Sequence, residues 1–382
     1  MTMVKEILQP MPAVGTPQAT FLATLFATLL ARRGRGNFRH RSRYGDDGAR
    51  TMARQFRRGV DWPAFPQRVI TGARDPCSEV IAAPEAACIP TRGTQTCGLG
   101  HFGNGCPARA ERGLEVSTLA VVEVPRRCAC TRAVAQTSPG DDETVARQAQ
   151  EATRVDGYRQ PRREPRHRLP PQVTSQGVDG DLAKQTYRAE AVRLDLHPMT
   201  QLRGDAAGRF LDPGPHPQRR GARRQDEGTV DVHDLRRVES LGPMAAAAHL
   251  QLYTAVVWHV TRTRQLRLVV VVTRQAPATP RDSVLAATEL ALDGRQLVER
   301  EGARFPIACR FRDSQPFTGL RDCPARAEAA LDVQFNAALA TLNLARPAPL
   351  IEQTGESPLV CSMASWKPRP FHARWLDVCI EK

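Results

Sequence analysis

Three glycines and one acid have the spacing of a dinucleotide-binding turn. Gly98, Gly100 and Gly103 stand in the order G-x-G-x-x-G, and Glu123 follows the third glycine by twenty residues, at the end of an apolar run. In such a turn the glycines let a pyrophosphate approach the backbone, and the acid binds the ribose hydroxyls. The spacing predicts these four residues as a site for NAD in an oxidoreductase. Pro107 falls where the phosphate-binding helix should run, which weakens the match.

The cysteines do not have the spacing of a metal site. Six of the ten fall in one segment with His101: Cys77, Cys88, Cys97, Cys106, Cys128 and Cys130. Structural zinc sites use thiolate pairs two to four residues apart, and Cys128 and Cys130, with a single residue between them, are the nearest approach. The sequence Asp231-Val232-His233-Asp234 could present alternating ligands, but such a run is typical of a solvated strand. We predict no metal ligand and no catalytic residue.

Arginine accounts for nearly all of the positive charge. The chain has fifty arginines, four lysines and a formal net charge of +14. Two arginine-proline stretches, Tyr158 to Pro171 and Pro213 to Arg224, have the composition of solvated linkers. Arginine also offers phosphate a bidentate fork, so the same stretches predict contact with nucleic acid. The arginines concerned are Arg162, Arg163, Arg166, Arg168, Arg219, Arg220, Arg223 and Arg224.

The elements that would position these groups are few. Leu250 to Arg274 contains two strand patterns, one beginning near Leu252 and one from Leu266 to Val272, separated by a turn without Gly, Pro, Asn or Asp. Ser283 to Glu301 is expected to be a helix interrupted by Gly294. A second helix is expected from Pro324 to Ala345, and we expect it to cover the two strands. Its apolar stripe is Leu331, Phe335, Ala338 and Leu342.

An apolar run near the start, Ala19 to Ala31, is too short to cross a bilayer, which needs about 20 residues. The arginines follow this run instead of preceding it, as they would in a secretory signal. We expect a short helix here, with a targeting or membrane-surface segment as the open alternative. No transmembrane span is predicted, and an expressed chain is expected to stay in the cytoplasm.

The frequency of proline and glycine predicts a mostly irregular, disordered chain with one small α+β region. The expected division is an apolar segment with a basic tail (1–48) and an irregular cysteine-containing region (49–157). A linker-like region rich in arginine and proline (158–243), a possible small α+β domain (244–350) and a tail (351–382) follow.

Short reiterations such as Leu194-Asp195-Leu196-His197 occur beside the run Val269 to Val272. Translation of the strand opposite a GC-rich coding frame produces this pattern, because codons with a central U mirror codons with a central A. In composition, from about Leu194 to Arg274, the chain is weakly similar to antisense-type open reading frames labelled NAD-specific glutamate dehydrogenase. The leading hypothesis is an antisense translation without a selected biochemical function. An NAD-dependent oxidoreductase, as that label implies, and a nucleic-acid-binding protein are the alternatives.

Overall fold

The fold is described from a computed structural model of the full chain. The structure describes residues 2–9, 11, 14–32, 36–43, 48–60, 62, 64–66, 77–104, 109–137, 169–178, 195–203, 208–211, 226–274, 282–322, 326–345 and 363.

Strands dominate the middle of the chain. In sequence order they are β1 (Val80–Pro90), β2 (Gly100–Asn104), β3 (Arg109–Glu123), β4 (Cys128–Thr137), β5 (Ser175–Val178), β6 (His197–Leu202), β7 (Gly208–Leu211), β8 (Asp226–Thr229), β9 (Glu239–Met244), β10 (Ala247–His259), β11 (Arg264–Thr273) and β12 (Asp282–Ala287). Within the described ranges these twelve strands form one mixed sheet in the order β2-β3-β1-β5-β6-β12-β11-β10-β7-β8, with β4 paired to β3 and β9 paired to β10. The prediction of a mostly irregular, disordered chain is therefore wrong.

That prediction took prolines as interruptions of regular structure, but several of them lie inside strands. Pro84, Pro198 and Pro243 belong to β1, β6 and β9. A proline has no N–H to donate, yet its carbonyl still accepts hydrogen bonds. The Pro198 carbonyl accepts one from the Thr288 amide at 3.1 Å. Strand pairing between distant segments, which composition does not register, thus tolerates the prolines.

Helices occupy the two ends of the described chain and one segment after β12. They are α1 (Thr2–Leu8), α2 (Thr16–Ala31), α3 (Phe38–Arg41), α4 (Ala49–Gln55), α5 (Gly294–Gly302), α6 (Pro306–Asp313) and α7 (Glu328–Ala345). A 3₁₀ turn spans Leu235–Arg237, and a π-helical turn, Ser314–Thr318, continues α6. The helix expected from Ala19 to Ala31 is confirmed as α2, whose apolar side chains are buried.

The chain divides into two compact units. Unit 1 comprises Met1–Glu79, Ala83–Pro170 and Phe305–Lys382, and unit 2 comprises Val80–Ala82 and Pro171–Arg304. The division at residue 304 falls inside the region 244–350 that the sequence suggested as one small domain.

Helix α7 is the centre of unit 1. One of its faces packs with the N-terminal helices through Ala330, Val333 and Ala337. The opposite face carries Leu331, Phe335 and Ala338, which pack with residues of β1 and β3. The predicted stripe is confirmed at those three positions. Its expected target was wrong, because α7 covers the β3–β4 part of unit 1 and not the strands at Leu252 and Leu266.

The core of unit 2 is the hairpin of β10 and β11, which confirms the strand pair predicted there. The two strands pair antiparallel from Leu250 and Thr273 to His259 and Arg264. A four-residue loop closes the hairpin, and the Thr263 amide donates to the Val260 carbonyl at 3.2 Å. Thr263 adopts a left-handed φ of 47°. The hairpin therefore forms without a turn glycine because a threonine takes the conformation that glycine would supply.

Helix α5 covers part of that hairpin. Gly294, at its first turn, lies so close to the strands that a Cβ there would be 3.1 Å from Cγ2 of Val269. The helix expected from Ser283 to Glu301 is correct only in its second half, since Asp282–Ala287 forms β12. That segment pairs with both β11 and β6, and the two sets of sheet hydrogen bonds outweigh its local helix propensity.

Candidate functional site

The glycine motif lies on a β-hairpin. Gly98 occupies a turn with φ 76°, and Gly100 and Gly103 belong to β2, where they pair with Gly113 and Ala110 of β3. A dinucleotide-binding turn instead joins a strand to a helix, whose N-terminus faces the phosphates. The local structure around these three glycines is therefore that of an antiparallel pair of strands.

Glu123 lies at the opposite end of β3 from the glycines. Gly113 is level with Gly100, and the ten residues from Gly113 to Glu123 span roughly 33 Å of extended strand. Glu123 is buried and accepts a hydrogen bond from Nη1 of Arg126 at 2.8 Å. The structure does not bring the glycines and the acid together, so the four residues do not form one cofactor site.

The metal candidates are also separated or otherwise engaged. Among the described residues, no group of three or more His, Cys, Asp or Glu side chains is placed to bind a metal ion. Asp231 accepts the His233 amide at 2.9 Å, and Asp234 accepts both the amide and the guanidinium of Arg236. These hydrogen bonds from Arg236 lower the pKa of Asp234 to about 2. The carboxylates of this run thus stabilise the turn itself. Cys106 lies outside the described residues.

A polar cluster that the sequence did not reveal lies in unit 2. Nη1 of Arg300, on α5, donates to Oγ of Ser175 at 2.7 Å and to Oε2 of Glu289 at 3.2 Å. The Ser175 hydroxyl donates to the same carboxylate oxygen at 3.4 Å. His197 is the register partner of Ser175 on the adjacent parallel strand. More than a hundred residues separate Ser175 from Arg300, and no spacing rule could have predicted their contact.

The chemistry of this cluster is limited by its burial. A carboxylate that accepts from a serine hydroxyl resembles the base and nucleophile pair of hydrolytic sites. Ser175 is only 1% exposed, however, so a substrate could reach the hydroxyl only if α5 moved away. The three side chains join α5 to β5 and to the segment after β12. We interpret them as a polar contact that fixes the helix on its sheet.

A buried arginine joins three elements of unit 1. Arg310 of α6 is 2% exposed, and its guanidinium donates to Oγ1 of Thr131 at 3.0 Å and to the carbonyls of Ala129 at 2.9 Å and Leu339 at 3.1 Å. It also donates to Oδ1 of Asn343, whose amide nitrogen donates to the Thr131 carbonyl at 2.7 Å. Several neutral oxygens therefore solvate this cation and join α6, α7 and β4.

The eight arginines predicted to contact nucleic acid lie outside the described residues, at 151–168 and 212–225. The structure does define the chain that follows the first group, from Leu169, and the strands before and after the second group. Tyr158 to Pro171 leads into β5, and Pro213 to Arg224 connects β7 with β8, which pair antiparallel. Both stretches therefore adjoin hydrogen-bonded strands of unit 2.

Arginines on the described surface near β8 are paired with acids. Arg209 contacts Asp226 at 2.7 Å, and Arg237 contacts Glu227 at 2.8 Å. The Arg237 guanidinium also lies 4.0 Å from the ring centroid of Phe210. This part of unit 2 thus has its positive charges balanced by neighbouring carboxylates.

In the described part of the chain, no helix is both long and apolar enough to cross a membrane, which agrees with the absence of a predicted span. Comparison with models of protein families and with curated protein sequences finds no match to this chain.

Proposed function

We propose that the protein binds nucleic acid through its two arginine-proline stretches. The observation that carries the proposal is the attachment of both stretches to paired strands of unit 2. Binding residues are commonly found on connections that a rigid scaffold positions, because the scaffold limits the entropy lost on binding. Eight arginines on two such connections would present a high density of phosphate-binding groups.

The distribution of charge supports the same function. The chain has a net charge of +14, whereas arginines on the described surface near β7 and β8 are paired with acids. The two stretches contain few acids of their own: Glu164 is the one carboxylate in their sequence. Their guanidinium groups therefore carry an excess of positive charge that phosphates could neutralise, with release of counterions.

The test is the salt dependence of binding. We expect the association constant for a labelled oligonucleotide to fall steeply as salt rises from about 50 mM to about 200 mM, because each neutralised phosphate releases counterions. Replacing the eight arginines named above with glutamine should make the slope of log K against log salt much shallower. Fluorescence anisotropy on the full chain measures both effects.

A matched control replaces arginines that are already paired. Arg236→Gln with Arg237→Gln removes two cations from the 3₁₀ turn of unit 2, where Asp234 and Glu227 hold them. This variant should keep nearly the wild-type slope. Salt-independent binding, or equal loss in the control and in the eight-fold variant, would contradict the proposal.

The competing hypothesis is a translation product that selection never shaped for any activity. It predicts that no native peptides of the chain are detected by mass spectrometry and that purified protein lacks a cooperative thermal transition. Detection of several peptides, together with a cooperative transition, would remove it. The oxidoreductase hypothesis predicts that NAD at millimolar concentration raises the melting temperature.

A further inference from the structure

An exposed row of side chains crosses four neighbouring strands of unit 2. Trp258 of β10 is the register partner of Gln265 on β11 and of Arg209 on β7, and Arg209 is in turn the partner of Thr229 on β8. Register partners project from the same face of a sheet. All four side chains are exposed, and we call them the Trp258 row.

The alternation along β10 shows that this exposure belongs to one face only. Val257 is fully buried and packs with Phe210 and Leu266 on the opposite face, whereas Trp258 is 39% exposed. On the face of the Trp258 row, α5 covers the hairpin near Thr254 and Val269. The part of the hairpin nearer its closing loop extends past that cover.

An exposed tryptophan in the middle of a polar row is chemically informative. Scattered apolar side chains are common on protein surfaces, but tryptophan is among the most buried residue types on average and a frequent binding residue. The Trp258 row combines its ring with a guanidinium, an amide and a hydroxyl. A flat sheet face with this combination suits an unpaired nucleic-acid base, which stacks on the ring while polar groups contact its edge or backbone.

We propose that Trp258 stacks against a base of single-stranded nucleic acid. The inference rests on the proposed function and deepens it, because it selects single strands over duplexes. Arg209 is about half exposed, and its ion pair with Asp226 at 2.7 Å holds the guanidinium beside the row. The positive charge of the chain attracts the strand, and the tryptophan provides stacking, for which the arginine-proline stretches have Tyr158 as their one Phe, Trp or Tyr.

The test uses the full chain, Trp258→Leu and Trp258→Phe, with labelled single strands of about 15 nucleotides, in DNA and RNA forms, and a duplex of the same length. Base stacking on an aromatic ring is commonly worth a factor of about 5 to 100 in affinity. We expect Trp258→Leu to lose that factor for single strands and very little for the duplex, and Trp258→Phe to keep most of it. Both variants should melt close to the wild-type temperature, because the side chain is exposed.

The matched control is Phe305→Leu, since Phe305 is another large exposed aromatic, at 71% exposure. That substitution should leave affinity for single strands unchanged. Wild-type affinity in Trp258→Leu, or an equal loss for strand and duplex, would overturn the stacking proposal. The proposal would also be overturned if the wild-type protein were a dimer that Trp258→Leu converts to a monomer without changing nucleic-acid binding. The Trp258 row would then be a contact between two copies of the chain.

The two proposals fail in different ways. If Trp258→Leu binds normally while the eight-fold arginine variant loses its salt-dependent binding, nucleic-acid binding stands and the stacking role is removed. If the wild-type chain binds neither strand nor duplex, both proposals fail.

Discussion

The β3–β4 and β10–β11 hairpins are closed in the same way and covered differently. Each has a four-residue loop whose last residue, Arg127 or Thr263, has φ 47° and donates its amide to the carbonyl of the first loop residue at 3.2 Å. The side chains of β3 are buried on both faces from Leu114 to Glu123, whereas β10 alternates and exposes Trp258. Loops of the same length, with the same closing hydrogen bond, therefore occur in a buried hairpin and in a partly exposed one.

The helices that pack on the two hairpins also differ. Helix α7 has 18 residues and extends for about 27 Å, and Arg310 and Asn343 join it and α6 to β4. Helix α5 has 9 residues and extends for about 14 Å, on a strand of 13 residues that is about 43 Å long. Helix α5 is thus much shorter than the strand on which it packs, and the end of β10 nearer the closing loop remains partly exposed.

The largest effect that we expect concerns Arg310, which is buried in unit 1. Arg310→Met removes the cation and the buried hydrogen bonds that its guanidinium donates to Thr131, Asn343 and two backbone carbonyls, which should destabilise the fold by about 3 kcal/mol. Arg300→Met, on α5 of unit 2, should lower the free energy of unfolding by about 1 kcal/mol, because Glu289 is partly exposed and water can replace the guanidinium. Chemical denaturation of both variants measures the difference. Equal losses of stability would show that α6 and α5 are held in place equally firmly.

A smaller effect concerns a carboxyl on the longer helix. Burial, and the nearby charge of Glu328, raise the pKa of Asp332 from its ordinary 3.8 to about 6. The folded state therefore binds this proton more tightly than the unfolded chain, so the stabilisation is present below about pH 3.8 and is lost as the pH rises through about 6.

Asp332→Asn should accordingly make the protein more stable at pH 8 by about 1 to 2 kcal/mol, with little change at pH 4. Denaturation curves at the two pH values measure this effect. Glu328→Gln, which removes only the neighbouring charge, should have a smaller effect in the same direction. A gain from Asp332→Asn that is equal at both pH values would show that the carboxyl does not titrate in this range.

The smallest effect concerns the two loops. Thr263→Gly and Arg127→Gly each relieve a left-handed conformation that is unfavourable for residues with a Cβ, and each should stabilise by about 1 kcal/mol or less. The gain should be larger at Thr263, because a β-branched side chain is the more strained of the two. Thermal melting of the pair measures it. Destabilisation at Thr263 would mean that the threonine side chain makes a contact that outweighs its strain.

Local pattern predicted several elements well. The alternating residues from Leu252 and the β-branched run from Leu266 form β10 and β11. On α7, Leu331, Phe335 and Ala338 belong to one core cluster. The same approach failed for Asp282–Ala287, which lies in a sheet despite a helix-like sequence. The glycine motif has the spacing of a dinucleotide-binding turn, but Gly100 and Gly103 lie in β2, which pairs antiparallel with β3.

Contacts between distant residues were beyond prediction from one sequence. Ser175, Glu289 and Arg300 meet because β5, the segment after β12 and α5 converge, and the Trp258 row exists because β7, β8, β10 and β11 pair in one particular register. A shift of one residue in that register would exchange Trp258 with the buried Val257. The fold class was missed for the same reason, since twelve strands depend on pairing that composition does not encode.

By itself, the sequence determined the charge of the chain and the strand and helix periods of β10, β11 and α7, because these follow from side-chain chemistry and from spacings of two and about four residues. Only the tertiary structure decided which face of the β10–β11 hairpin is covered, because that depends on where a nine-residue helix from another segment packs. Trp258 is a surface residue because it lies beyond the part of the hairpin on which α5 packs, and no property of β10 alone specifies that outcome.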